Sequence, residues 1–134
     1  MRAETPAEAR RGLWIPCEGA VRVLDDAARV DRLIAGAVFH GTQPRIVRID
    51  DFILEAIPEG HTLLLHNHDR PGVVGAVGTI LGEAGCNISR MQLALHESRG
   101  EACMLVNVDQ HPSDQVLAAL RDDASMIAVQ LLEL

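Results

Sequence analysis

Several residue types that particular functions require are missing from this chain of 134 residues. It has no lysine, so all twelve basic side chains are arginines; this excludes a phosphate-loop lysine and a lysine that forms a Schiff base. It has no tyrosine, and aromatic residues make up only 2% of the composition. Since 48% of the residues are hydrophobic, a core can form, but aliphatic side chains must build it.

Cysteine and long apolar segments are also scarce. The three cysteines, Cys17, Cys86 and Cys103, lie far apart and form no CxxC pair, so we expect free thiols in a reducing cytoplasm. No apolar run reaches the ~18 residues of a membrane span, and the first residues lack the apolar stretch of a signal peptide. The sequence therefore predicts a cytoplasmic protein without a membrane segment. Its net charge of −7, with no basic stripe, argues against nucleic-acid binding.

The first 60 residues contain two kinds of sequence. Residues 1–19 are charged and rich in alanine, and we expect a lead-in that is poorly ordered or weakly helical. Residues 20–60 contain short β-like segments separated by turn residues, at 21–24, 33–39, 45–49 and 52–57. No helix pattern covers this meander, and alone it would expose an apolar face or an open edge. We therefore interpret it as a partial β-rich domain.

From residue 61 onward the pattern changes to strand, helix, strand, strand, helix, strand. We predict the first helix from Pro71 to Gly85, because Pro71 suits the first helical position and Gly85 suits the left-handed residue after the end. Its apolar residues recur with the 3.6-residue period of one helix face: Val73, Val74, Val77, Ile80, Leu81 and Ala84. The second helix is predicted to open at Pro112. The four strands are predicted at 62–67, 87–96, 101–109 and 126–134.

These elements predict the fold of residues 61–134. Two strand–helix–strand units with right-handed crossovers form a four-stranded antiparallel sheet with both helices on one face. The predicted fold is thus α+β and ferredoxin-like, βαββαβ, with strand order 4-1-3-2 and the second and fourth strands at the edges. The sheet face away from the helices has no cover within this segment. We expect that face to be polar or to meet another chain or domain.

The turn between the first strand and the first helix of this fold resembles a binding site. It brings Asn67, His68 and Asp69 to a helix N-terminus, where free backbone N–H groups can hold an anion such as an amino-acid carboxylate. A simpler interpretation is that Asp69 caps the helix and that Asn87, after the helix, satisfies a turn.

Other chemistries fit this segment less well. Gly72, Gly75 and Gly78 are spaced as GxxGxxG, whereas a dinucleotide site requires GxGxxG. His66 and His68 point the same way from a strand, but their spacing matches no closed metal site. We therefore predict no catalytic residue, no cofactor and no metal.

Residues 61–134 resemble the ACT domain, a ferredoxin-like regulatory module of amino-acid metabolism. The resemblance is carried by HNHDRPGVVGAVGTILGEAGCNIS at 66–89, by GEACMLVNVDQ at 100–110 and by the closing VQLLEL. The preceding GAVFHGTQPRIVRIDDFILEAIPEGH at 36–61 is similar to the end of the allosteric domain in the long-form D-3-phosphoglycerate dehydrogenase family of serine biosynthesis. The catalytic and NAD-binding domains of that family have no counterpart in this sequence.

The resemblance implies an effector site where two ACT domains meet. Carried over by position, Asp69 receives the ammonium group of L-serine, and the N–H groups of Val73 and Val74 hold its carboxylate. The hydroxyl group is recognised by Asn67 of the same chain and by Asn87 of the partner subunit. The resemblance also implies a homodimer that pairs through the second ACT strand, with two equivalent sites at the seam of an eight-stranded sheet.

The function implied is allosteric, namely that of the L-serine-binding regulatory part of a D-3-phosphoglycerate dehydrogenase. Three alternatives stay open on the sequence alone. The chain can be the regulatory part of an iron–sulfur L-serine dehydratase, a free-standing amino-acid sensor, or a dimerisation module that shows no ligand response.

Overall fold

The computed structural model describes residues 2–4, 20–25, 30–40 and 42–133. The chain divides into two compact units between Pro58 and Glu59. The predicted lead-in lies outside the described residues except for Arg2–Glu4, and these three form a strand rather than a disordered or helical segment. They do so because they pair with the strand Ala20–Asp25, with Ala3 opposite Val23, a long-range partner that local composition does not reveal.

In its described residues, the first unit is an antiparallel meander of five strands in sequence order. The strands are β1 Arg2–Glu4, β2 Ala20–Asp25, β3 Val30–Phe39, β4 Gln43–Ile49 and β5 Phe52–Ala56. In β5 the residues Phe52, Leu54 and Ala56 are buried, and the residues between them are exposed, as the period of a half-buried strand requires. The predicted β-rich part is therefore confirmed.

The second unit contains four strands and two helices. They are β6 His61–His68, α1 Val73–Glu83, β7 Ile88–His96, β8 Glu101–Val108, α2 Asp114–Asp122 and β9 Met126–Glu133. The sheet order is β7-β8-β6-β9, and every neighbouring pair is antiparallel. This is the predicted order 4-1-3-2 with the second and fourth strands at the edges, so the ferredoxin-like α+β fold is confirmed.

The core of the second unit lies between this sheet and the two helices. Alternate residues of β6 and β8 face the helices, among them Leu63 and Leu65, which are completely buried. The helices contribute one side each to the same cluster: Val73, Val77, Leu81, Val116, Leu117 and Leu120. Burial of each such side chain contributes about 1.5–3 kcal/mol, so this aliphatic cluster supplies the core of a unit that is poor in aromatic residues.

The opposite face of the sheet is buried at its centre as well. Leu64, Cys103 and Leu105 occupy the alternate positions of β6 and β8, and each exposes 2% of its surface or less. Between them and the start of β6 lie the buried polar residues Thr62 and Asn107. The centre of this face is therefore mainly apolar with one polar row at its end.

Helix α1 ends as predicted but begins two residues later. At the end, Gly85 has φ 74°, and the N–H of Cys86 donates to the carbonyl of Leu81 at 2.9 Å, which is the Schellman arrangement. At the start, the residue before the helix is Gly72, with φ 89°. A residue in the left-handed region cannot belong to a right-handed helix, so Pro71 lies in the preceding turn and not at the first helical position.

Candidate effector-binding site

The end of strand β6 is fixed by backbone hydrogen bonds on both sides. The N–H of His68 donates to the carbonyl of Ser125 at 2.8 Å, and the N–H of Asp69 donates to the carbonyl of Gly100 at 2.9 Å. The first bond ties the strand end to the turn before β9, and the second ties it to the hairpin turn between β7 and β8. The segment that leads into α1 is therefore held in place before any ligand arrives.

Asn67 is the unusual residue of this segment. It shares the helix-facing side of β6 with Leu63 and Leu65, and only 2% of it is exposed. Its Nδ2 donates to the carbonyl of His68 at 2.8 Å, whereas its buried Oδ1 has no hydrogen-bond partner among the residues that the structure describes. An unsatisfied buried acceptor costs about 1–3 kcal/mol, and a ligand that donates a hydrogen bond would remove this cost.

The N-terminus of α1 offers donors close in sequence to this acceptor. The N–H of Ala76 donates to Gly72 at 2.9 Å, and the N–H of Val73 makes only a long contact of 3.5 Å with the carbonyl of Arg70. Within the described part of the chain, the N–H groups of Val74 and Gly75 have no acceptor. These free groups and the helix dipole favour an anion at this position.

Asp69 is exposed and does not cap the helix. The capping position belongs to Gly72, and no side chain accepts a hydrogen bond there. The capping interpretation of Asp69 therefore fails, and its carboxylate is available to a cation beside the helix N-terminus.

Asn87 lies at the other end of the sheet. Asn67 shares a row with Ala102 and Leu95, whereas Ile88, which follows Asn87, shares a row with Val108. At ~3.3 Å per residue the two rows are about 20 Å apart, so one chain cannot bring Asn67 and Asn87 to one ligand. The backbone of Asn87 exchanges two hydrogen bonds with Asp109, at 2.9 and 3.1 Å.

His66 takes no part in this site, because it lies on the sheet face away from the helices. Its Nε2 is 2.8 Å from Oε2 of Glu101. This hydrogen bond lowers the pKa of Glu101; burial opposes the shift, and the charges of His66, Arg99 and His68 add to it. The pair joins β6 to β8 on the sheet face opposite to the candidate site.

A second polar cluster was not anticipated from the sequence. Nδ2 of Asn107 donates to Oγ1 of Thr62 and to the carbonyl of Glu59, both at 3.1 Å, and Oγ1 of Thr62 donates to the same carbonyl at 3.2 Å. The available signal was an amide inside the apolar run of β8, where a buried polar residue needs partners.

Other kinds of site find less support in the structure. Among the described residues, no group of three His, Cys, Asp or Glu side chains is placed to hold a metal ion. Cys86 and Cys103 are buried cysteines outside any disulfide of the described residues, and Cys17 is not among those residues. Within the described residues, neither helix has the length and apolar content that crossing a membrane requires.

Comparison with known proteins assigns this region to a family. Residues 61–124 match the family model of the ACT domain. D-3-phosphoglycerate dehydrogenase from Bacillus subtilis is 37% identical over 90 residues, which are 67% of this chain and 17% of that protein. The enzyme of this name from Methanocaldococcus jannaschii is 30% identical over 115 residues, or 86% of this chain and 22% of that protein.

The similarity extends to a plant protein. D-3-phosphoglycerate dehydrogenase 2, chloroplastic, from Arabidopsis thaliana is 33% identical over 87 residues, which are 65% of this chain and 14% of that protein. The chain therefore spans less than a quarter of the length of any of these three relatives. The matches cover the region that carries the candidate effector site.

Proposed function

The chain contains an ACT domain at residues 61–124, and from this premise we propose that it is the L-serine-binding regulatory module of a D-3-phosphoglycerate dehydrogenase. In this proposal the chain acts in the cytoplasm, carries no catalytic residue and needs no cofactor. Binding of L-serine restrains catalytic domains that belong to the intact enzyme. The single observation that carries the proposal is the buried Oδ1 of Asn67, which has no hydrogen-bond partner within the described ranges.

The geometry offers a group for each part of an amino acid. The free N–H of Val74 and the weakly bonded N–H of Val73 receive the carboxylate, and the exposed Asp69 receives the ammonium group. Nδ2 of Asn67 already donates to the carbonyl of His68, so among the described residues the side-chain atom left without any partner is the acceptor Oδ1. A ligand with a hydroxyl donor satisfies that acceptor, whereas alanine would leave it unpaired.

A second copy of the chain completes this site. Strand β7 lies at the edge of the sheet, and its helix-facing Leu93 and Leu95 remain 47% and 51% exposed. An open strand edge with exposed apolar side chains favours pairing with another strand. We propose that β7 pairs with β7 of a second copy about a two-fold axis.

The positions of the two asparagines define the register of this pairing. Asn67 is level with Leu95 along the strands, so we propose that Asn87 of the partner subunit lies opposite Leu95, at the level of the ligand. An antiparallel pair with that alignment is centred on Met91. It also places Arg90 opposite a glutamine rather than opposite the same arginine, which avoids a repulsive pair.

Thermal unfolding with each of the twenty amino acids tests the proposal. L-serine at ~100 times its dissociation constant adds about 2.7 kcal/mol to the free energy of unfolding, which raises the unfolding temperature by several degrees for a chain of this size. The variant Asp69→Ala should keep its fold and lose the shift, and Glu83→Gln, an exposed change on α1, should retain it. A folded dimer that responds to none of the amino acids would make the chain a dimerisation module.

Cross-linking tests the register. Met91→Cys should form a covalent dimer under mild oxidation because the two introduced thiols face each other at the axis. Gln92→Cys, on the opposite face of the same strand, is the matched control and should cross-link less. The native Cys86 and Cys103 are buried. A dimer that cross-links equally through both positions would contradict this register.

A further inference from the structure

Glu59 is held by the sheet through both its backbone and its side chain. It is the first residue of the second unit, so it marks the point where the chain enters from the preceding unit. Its carbonyl accepts hydrogen bonds from Thr62 and Asn107, and its Oε1 lies 2.6 Å from Nη1 of Arg90. One residue is therefore attached to three strands of the second unit.

The three residues that hold Glu59 form one row across the sheet, which we call the Glu59 seat. Thr62 of β6 lies opposite Asn107 of β8, and Asn107 lies opposite Arg90 of β7. Thr62 and Asn107 are 0% and 4% exposed, so this part of the seat is fixed. The Arg90 and Glu59 side chains are 45% and 62% exposed, so their ion pair can open at little cost.

A β-bulge orients Arg90 toward the Glu59 seat. Ile88 lies opposite Val108 and Arg90 lies opposite Asn107, so one extra residue, Ser89, is inserted between them. Ile88 and Met91 both pack against the helix-facing core, which turns Arg90 to the other face of the sheet. Oγ of Ser89 donates to the carbonyl of Asn107 at 3.2 Å and ties the bulge to the same row.

We infer that the Glu59 seat couples strand β7 to the junction with the preceding unit. The inference rests on the proposed function, because β7 is the edge that a second copy and its effector would occupy. Arg90 is adjacent to Met91, the proposed centre of that pairing, and its bulge follows directly on Asn87. A change in the position of β7 relative to β8 therefore moves Arg90 with respect to Glu59, while Thr62 and Asn107 keep the Glu59 carbonyl in place.

Amide hydrogen exchange at Gly60 and His61 in the full chain tests this coupling. In the unmodified chain, L-serine should slow exchange at these amides several-fold. The variants Glu59→Gln and Arg90→Gln remove one charge each from the pair. Both variants should lose the exchange response, and Glu59→Gln, which lies outside the proposed pairing, should retain the L-serine shift in unfolding temperature. Glu83→Gln is the matched control and should retain both.

The outcomes separate this inference from the proposed function. Retention of both responses in Glu59→Gln and Arg90→Gln would overturn the coupling and leave serine binding intact. If no amino acid shifts the unfolding of the unmodified chain, serine sensing fails, and the coupling is then measured by dimerisation alone. Exchange at Gly60 should slow as the chain is concentrated from monomer to dimer, and Arg90→Gln should abolish this dependence. Exchange that does not change with concentration would overturn the coupling.

Discussion

Two buried asparagines in the same sheet have opposite hydrogen-bonding states. Asn107 is 4% exposed, and its amide donates to both Thr62 and Glu59. Asn67 is 2% exposed, and its Oδ1 has no hydrogen-bond partner in the part of the chain that the structure describes. A satisfied buried amide stabilises the structure around it, whereas a buried amide with an unused acceptor costs stability. In our proposal, the Asn107 end of the sheet is structural and the Asn67 end binds the ligand.

The largest expected effect is the difference in stability between two variants, one with leucine in place of Asn107 and one with leucine in place of Asn67. Asn107→Leu should lower the free energy of unfolding by about 1–3 kcal/mol, because it takes the amide donor away from the Glu59 carbonyl and the Thr62 hydroxyl. Asn67→Leu should change it by less than about 1 kcal/mol, because it removes the unpaired acceptor together with one hydrogen bond. Urea unfolding of the two variants measures this difference.

Ligand addition sharpens the same comparison. The L-serine shift should disappear in Asn67→Leu because the hydroxyl group loses its acceptor. Asn107→Leu should keep the shift in conditions where it is folded. Equal stability losses in the two variants, or a serine response that survives in Asn67→Leu, would contradict a structural role for Asn107 and a ligand-binding role for Asn67.

Two left-handed glycines test the ends of helix α1 with a smaller effect. Gly85 has φ 74° and Gly72 has φ 89°, so alanine at either position is strained and should cost about 1 kcal/mol or somewhat more. Gly85→Ala should weaken the effector response only slightly, because it leaves the Val73 and Val74 N–H groups in place. Gly72→Ala should also weaken the response, because it moves the Val73 and Val74 N–H groups. Thermal unfolding with and without L-serine measures both effects, and an identical response in the two variants would count against a ligand at Val74.

The smallest expected effect is the dependence on pH at the Asn67 end. The pKa of Glu101 is lowered, first by its hydrogen bond with His66, so the carboxylate is more acidic in the folded chain than in the unfolded one. Its contribution to stability is therefore present above the ordinary carboxyl pKa of 4.5 and is lost as the pH falls through the lower folded value. Glu101→Gln should flatten this part of the dependence of unfolding free energy on pH. A dependence identical to that of the unmodified chain would contradict its assignment to the hydrogen bond between Glu101 and His66.

Sequence patterns predicted the second unit better than the first. The 3.6-residue period of α1 and the glycine at its end led to the right helix and the right strand order. The start of α1 was placed at Pro71 because proline favours the first helical position, and the left-handed Gly72 overrides that preference. The strand Arg2–Glu4 was missed because its partner Ala20–Asp25 is distant in sequence.

The sequence by itself determined the ferredoxin-like fold and the segment in which an effector site was expected, because both depend on local periodicity and turn residues. It could not decide which buried amide is satisfied, because that depends on partners from other strands, as Asn107 shows with Thr62 and Glu59. Only the tertiary structure placed Asn67 and Asn87 in rows at opposite ends of the sheet. Strand pairing sets that separation, and it is the reason why the proposed site needs a second copy of the chain.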